Sequence, residues 1–514
     1  MSYSNTPSSA KASLSSENIK LLAVMVPKIP MMLKTTLFHL LRISETSKYL
    51  DLSQELTINV VRSFLTPSTK SLFTISATQK FLAKDPGVQG RIWVANYVAP
   101  ADDGAQKAIV AALEGLVSPA SPSAADMLSA LKQELPPSAP VEAEWTGYRA
   151  GVAKDATLPV GLSQKELYDE MMKEVTAPTT VLYFHGGAYW LMDPATHRPL
   201  AQKLAKLTSG RVYNVRYRLS PRHAFPAALI DALVSYLTLL FPPEDAFHEP
   251  IKAEHIVFSG DSAGGNLSLS LLQTLFYLKR NNISVFWQGQ QLNVPLPGGV
   301  ALNSPWTDLT HSSPSCDNNA LFDYLPAPLS KNYTIDSLRP ECEIWPANPP
   351  RRSVYVDDHL ADHPLVTVLL AESWEGSPPV WICTGWELLA DEDKYLACKM
   401  RRDGVPVVLE EYEAMPHCFA LIFPDSNGAR KCLGDWADFI NTATGQKQDG
   451  EKGEVQSCFK RIKAKTLVEE ILEGEEEGGW EKVAPYSEEE IKRRIAERMR
   501  RAREEGVTGL VAKL

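Results

Sequence analysis

The seven cysteines, at positions 316, 342, 383, 398, 418, 432 and 458, are scattered and fall in no paired spacing. An odd count of that kind, with no secretory signal, excludes a disulfide-framed secreted scaffold and predicts reduced thiols. Positive charge is also short. Against 62 acidic residues stand 52 Lys and Arg, a net charge of −10, so nothing draws the whole chain to nucleic acid. A membrane-spanning helix wants about 20 apolar residues with few charges. The most apolar stretch, 19–43, is interrupted by Pro27, Pro30, Lys20, Lys28 and Lys34. It is expected to contact a membrane surface peripherally, to cover a site as a lid, or to pack as helices on the core. Zinc chemistry lacks its motif. His359 and His363 lie four apart, but no H-E-x-x-H glutamate stands between them and Pro364 ends the turn. Polar residues on a surface turn are the expected reading, and no metal or cofactor is expected.

What the chain does have is apolar residues, 44% of 514, enough for a sizeable core. Buried-strand patterns at 180–184, 211–215, 255–259, 299–303, 380–384 and 406–412 alternate with helical ones, which predicts a mostly parallel sheet covered by helices. One strand pattern, 255–259, runs into Gly260-Asp261-Ser262-Ala263-Gly264 and then a helical stretch. Strand, G-x-S-x-G and helix in that order make a nucleophile elbow, with the serine hydroxyl raised above the sheet edge. The helix behind it aims its N-terminal amides at the same point. A five-residue match alone is weak, since Gly and Ser are common in turns. A second motif lies about 75 residues earlier: the strand pattern 180–184 leads into His185-Gly186-Gly187-Ala188-Tyr189-Trp190. Glycines just past a strand can turn free N–H groups toward an incoming oxygen.

These two motifs, with Tyr217-Arg218-Leu219-Ser220-Pro221, Phe225-Pro226-Ala227-Ala228, Ser304-Pro305-Trp306 and Pro416-His417, resemble the hormone-sensitive-lipase-like (arylacetamide-deacetylase-like) branch of the α/β-hydrolases over roughly residues 140–440. The resemblance implies the α/β-hydrolase fold, with helices on both faces of the sheet and a helical N-terminal cap. It implies an oxyanion hole from Gly187, Ala188 and Ala263; Ala188 replaces the usual third glycine, which is harmless if its backbone suits a residue with a Cβ. Ser262 is then the nucleophile. In this fold the base follows the acid and both follow the serine, which selects His417. Relatives place an aspartate thirty residues before that histidine; here the count lands on Glu387, giving a Ser-Glu-His set. Asp391, one helical turn later, competes for the role, and Asp393 follows it.

The activity implied is hydrolysis of small-molecule carboxylic esters through an acyl-enzyme. Acyl transfer by the same groups is an alternative, and so is a ligand-binding receptor that kept the fold. The expected organisation is a disordered 1–17, a helical cap and linker at 18–140, a catalytic domain at 141–445 with an insertion at about 312–352, and a charged helical tail at 446–514. Ala512, Lys513 and Leu514 differ by one residue from the S-K-L address, so a peroxisomal import receptor is an expected partner and the compartment is peroxisomal or cytoplasmic.

Overall fold

The computed structural model describes residues 25–66, 74–118, 124–327, 339–348, 350–445, 454–472, 483–484 and 486–511. The stretch 1–17, expected to be disordered, and the tripeptide Ala512, Lys513 and Leu514 lie outside them, as do parts of the 19–43 and 312–352 segments.

Twelve strands form among the described residues: β1 Ile92–Ala99, β2 Val141–Tyr148, β3 Thr180–Phe184, β4 Arg211–Arg216, β5 Ile256–Asp261, β6 Val285–Trp287, β7 Gln290–Leu292, β8 Gly299–Asn303, β9 Val380–Gly385, β10 Val407–Tyr412, β11 Cys458–Ile462 and β12 Glu469–Leu472. All but the β6–β7 hairpin join one ten-stranded sheet in the order β1-β2-β4-β3-β5-β8-β9-β10-β11-β12. From β4 to β11 every pairing is parallel; only the edges are antiparallel. Every residue of β3, β5, β8 and β9 is buried. This is why these strands read as continuous apolar runs, since a parallel sheet is covered on both faces.

Alternation along each strand divides the core in two. Leu182, Phe184, Phe258, Val300, Leu302 and Ile382 point to one side, where helices Ala227–Leu240, Ala263–Arg280 and Ala390–Arg402 cover them. Val181, Tyr183, Val257, Ala301, Trp381 and Cys383 point to the other, under helices Pro194–Thr208 and Asn427–Ala443. The N-terminal region contributes α1 (Ile29–Leu40) and α2 (Leu52–Leu65). A capping box of Asp51 and Gln54 starts α2. Leu50 and Ile58 are buried in the second core, and Tyr49, Val61 and Leu65 pack against it.

The sheet overruns both boundaries set for the catalytic domain. β1, from the 18–140 region, pairs along its whole length with β2. The 118–140 segment, read as a linker with a short helical island, holds a helix, Ala124–Glu134, whose Met127, Ala130 and Leu131 are buried in the core. At the other end β11 adds in parallel to β10. The last helix, Glu488–Val511, is laced by ion pairs such as Glu490–Arg494 at 2.7 Å, as a solvated helix should be, yet it also buries Ile491, Ile495 and Met499. His363 corrects another expectation. Far from a surface turn, it is fully buried, its Nδ1 accepting from Leu365 N–H at 3.0 Å and its Nε2 3.0 Å from the Leu113 carbonyl. Burial pulls its pKa down to about 4, so it stays neutral with both nitrogens engaged.

Candidate active site

Every residue singled out for chemistry lies just past the carboxyl end of a parallel strand, the edge where open α/β sheets build their sites. At the end of β5, Ser262 takes φ +52° and ψ −118° and caps the 18-residue helix Ala263–Arg280 without bonding its own helix through the hydroxyl. A serine at positive φ is strained, and such strain persists only where the surroundings dictate it. Here they do: Ser262 N–H donates to the Asn303 carbonyl at 3.1 Å, and Trp306 N–H donates to the Ser262 carbonyl at 3.0 Å. The motif glycines serve closeness rather than φ. A Cβ on Gly264 would sit 1.9 Å from the Phe184 carbonyl oxygen, and one on Gly260 would sit 2.5 Å from that of Gly264.

After β3, Gly187, Ala188 and Tyr189 take φ of +103°, +51° and +64° in succession. The left-handed turn at Ala188 is one a residue with a Cβ adopts only at some cost, so the missing third glycine is not free of strain. The loop is tied to the elbow by Asp261, whose carboxylate accepts from Gly186 N–H at 3.1 Å and from the Tyr183 hydroxyl at 2.6 Å, with His197 Nε2 at 3.2 Å. Burial pushes the Asp261 pKa up, but His197 and the Tyr183 hydroxyl overcome it and the carboxyl is held below its usual range. His185 stacks on Tyr217 at 4.3 Å, with Nδ1 2.7 Å from the Gly186 carbonyl. Burial, reinforced by His197, lowers its pKa to about 4, so a neutral ring braces the loop. Tyr189 adds a second tie, its hydroxyl donating to Asn266 Oδ1 at 2.6 Å on the elbow helix.

Past β10 stands His417, 3% exposed, and past β9 stands Glu387, wholly buried. His417 Nδ1 bonds Glu387 Oε2. The other oxygen, Oε1, accepts from Ser304 Oγ at 2.5 Å, Thr384 Oγ1 at 3.0 Å and Gly385 N–H at 3.1 Å. Burial raises the Glu387 pKa, yet His417 and these donors leave it net lowered; for His417, burial lowers the pKa and Glu387 leaves it net raised. Each partner thus stabilises the charged form of the other against the cost of burial. Asp391 faces elsewhere, accepting from Ser315 N–H at 2.9 Å and from the Tyr486 hydroxyl. Asp393 is buried behind the acid loop. No hydrogen bond joins His417 to the Ser262 hydroxyl, a bond that commonly forms only with substrate present. The Asn303 carbonyl accepts from the Ser262 N–H at 3.1 Å and from Cys418 Sγ–H, of the residue after His417, at 3.8 Å.

Asp323 gave no sign in the sequence. It comes from the insertion and is fully buried; Oδ1 accepts from His417 N–H at 3.3 Å and Leu325 N–H at 3.1 Å, Oδ2 from Leu388 N–H at 2.8 Å. It thus clasps the His417 loop to the loop that carries Glu387. Burial pushes its pKa up to about 6 against the pull of His417. Arg62 of α2 in turn donates through Nε to the Asp323 carbonyl at 2.8 Å.

The alpha/beta hydrolase fold family matches residues 181–421. An esterase of Acinetobacter venetianus is 30% identical over 279 residues, 53% of this chain and 78% of that protein. The chain belongs to the α/β-hydrolase family. Its two glycine motifs are the ones that resemble the hormone-sensitive-lipase-like branch. The hydrolase is also 28% identical to an acetyl-hydrolase of Streptomyces hygroscopicus over 268 residues, 52% of this chain and 77% of that protein. Among solved structures, an esterase from the bacterial hormone-sensitive lipase family shares its fold with TM-score 0.50 and 20% identity, covering 77% of this chain and 99% of that one.

Proposed function

We propose that this α/β-hydrolase is a serine esterase acting on uncharged carboxylic esters of small or medium acyl chains. Ser262 Oγ attacks the ester carbonyl while His417 Nε2 takes its proton. Glu387 fixes the ring with Nδ1 protonated and supports the imidazolium that forms. The N–H groups of Gly187, Ala188 and Ala263 receive the oxyanion, the last with the help of the helix dipole. Collapse breaks the bond to the alcohol, which leaves with the proton from His417. Water, deprotonated by His417, then attacks the acyl-Ser262 ester and releases the acid.

The observation that carries this reading is the buried Glu387–His417 pair standing at the same carboxyl edge of the parallel sheet as a strained Ser262. The names of the relatives, an esterase and an acetyl-hydrolase, agree with the reaction class. A fluorophosphonate probe should label Ser262, and Ser262→Ala should abolish both labelling and hydrolysis of a p-nitrophenyl ester series while leaving the fold intact. The loss expected is about 10⁶-fold in turnover. A folded Ser262→Ala protein of near-normal activity would remove the assignment. Product analysis with a competing alcohol separates hydrolysis from acyl transfer.

A further inference from the structure

Helix α1 is amphipathic in the wrong sense for a helix that caps a core. Its inward side carries, beside Met31 and Met32, polar groups held by α2: His39 Nδ1 lies 2.6 Å from Glu55 Oε2, Asn59 Nδ2 donates to Thr35 Oγ1 at 3.2 Å, and Lys28 Nζ, at the helix start, donates to the Ser63 carbonyl at 3.1 Å. Its outward stripe is large and apolar. Val26, Ile29, Leu33, Leu37, Leu40 and Leu41 recur at helical spacing and stand 47–68% exposed. Rolling the helix to bury them would break the bonds that hold it, so the face is fixed outward.

We propose that this face docks on an anionic lipid surface. Charge selects that occupant. Residues 26–44 carry Lys28, Lys34 and Arg42 and no carboxylate, in a chain whose net charge is −10. Lys34 and Arg42 are exposed beside the apolar stripe, where a basic rim meets anionic headgroups while the leucines enter the acyl boundary. A second copy of the same face would bring Lys34 and Arg42 against their own kind, which disfavours a symmetric pair. The surface so engaged neighbours the site. Tyr49, between α1 and α2, packs its ring 5.3 Å from Trp386, the residue before Glu387, and 5.9 Å from Phe322.

The test is co-sedimentation of the full chain with phosphatidylcholine vesicles made with and without phosphatidylglycerol. The wild-type chain should bind the anionic vesicles at least tenfold more strongly than the neutral ones. Leu33→Glu/Leu37→Glu should weaken binding to the anionic vesicles at least tenfold, and Lys34→Glu/Arg42→Glu should erase the anionic preference. Turnover of a water-soluble ester by both variants should match wild type, which certifies their fold and keeps this result separate from the catalytic reading. A wild-type chain left in the supernatant overturns the proposal, as does a Leu33→Glu/Leu37→Glu variant that binds like wild type. A wild-type dimer that this variant turns into monomers, with no vesicle binding, overturns it in favour of a second copy.

Discussion

Glutamate in place of the customary aspartate puts one more methylene between backbone and carboxylate, and the structure uses that reach. Glu387 accepts from Ser304, Thr384 and Gly385 with one oxygen and leaves the other for His417. Glu387→Gln keeps this size but replaces the charge. By comparison with the same change in a Ser-His-Asp enzyme, turnover should fall about 10⁴-fold. The pH dependence carries a sign as well. The His417 pKa is raised by Glu387 against burial, so in wild type kcat/KM should rise with pH through a midpoint above the ordinary value of about 6.5. Without the Glu387 charge, burial prevails and the residual limb should move to lower pH. Asp391→Asn, which touches Ser315 and Tyr486 instead, should retain most activity with an unmoved limb. Measuring the wild type and both variants on one activated ester across pH checks these statements; a crippled Asp391→Asn beside an active Glu387→Gln would reverse the assignment.

At the level of elements, glycine positions divide by what a Cβ would meet. Gly264→Ala would drive a methyl to 1.9 Å from the Phe184 carbonyl oxygen and force the elbow helix away from β3. A loss of at least about 3 kcal/mol is expected, the upper range for overpacking. Gly434, within helix Asn427–Ala443, has nothing within 4 Å of an added Cβ. Gly434→Ala should therefore raise stability by about 0.5–1 kcal/mol through helix propensity alone. Chemical denaturation of the two variants reads both values. The elbow and the His185 loop were legible in the sequence because steric demands force glycine into fixed spacings beside the strand. Asp323 and His197 were not. Their roles arise from contacts with residues far along the chain, such as the 94-residue span from Asp323 to His417, and nothing local marks them. β11 escaped for a related reason: only Phe459 and Ile462 of its five residues are buried, so it carries a weak version of the apolar signal that betrays β3 or β5.

For the molecule as a whole, the described part of 446–514 acts as structure as well as a tail. Phe459, Ile462, Ile491, Ile495 and Met499 are each no more than 2% exposed. At about 1.5–3 kcal/mol for each buried side chain, their removal forfeits on the order of 10 kcal/mol, comparable with the whole stability of a typical domain. It would also bare the edge of β10, where Lys460 and Arg461 now meet Glu410 and Glu411 at 3.1 and 2.8 Å. A chain cut after Gly445 is expected to be insoluble or to melt far below the full chain, as thermal unfolding or the soluble fraction on expression would show. A truncation that stays soluble with an unchanged melting temperature would reduce this segment to an appendage.

The hand-hold between Arg62 and the Asp323 carbonyl bears on anyone who recombines members of this family. An N-terminal segment exchanged between relatives as a self-contained module would arrive without its matching insertion loop, or leave that loop behind without its arginine. The chimera would then misplace the Asp323 carboxylate that holds both His417 and Leu388. Poor activity in such hybrids would be misread as altered substrate preference, although no residue touching substrate had changed. Crossovers that carry 45–66 and 315–327 together keep the linkage whole.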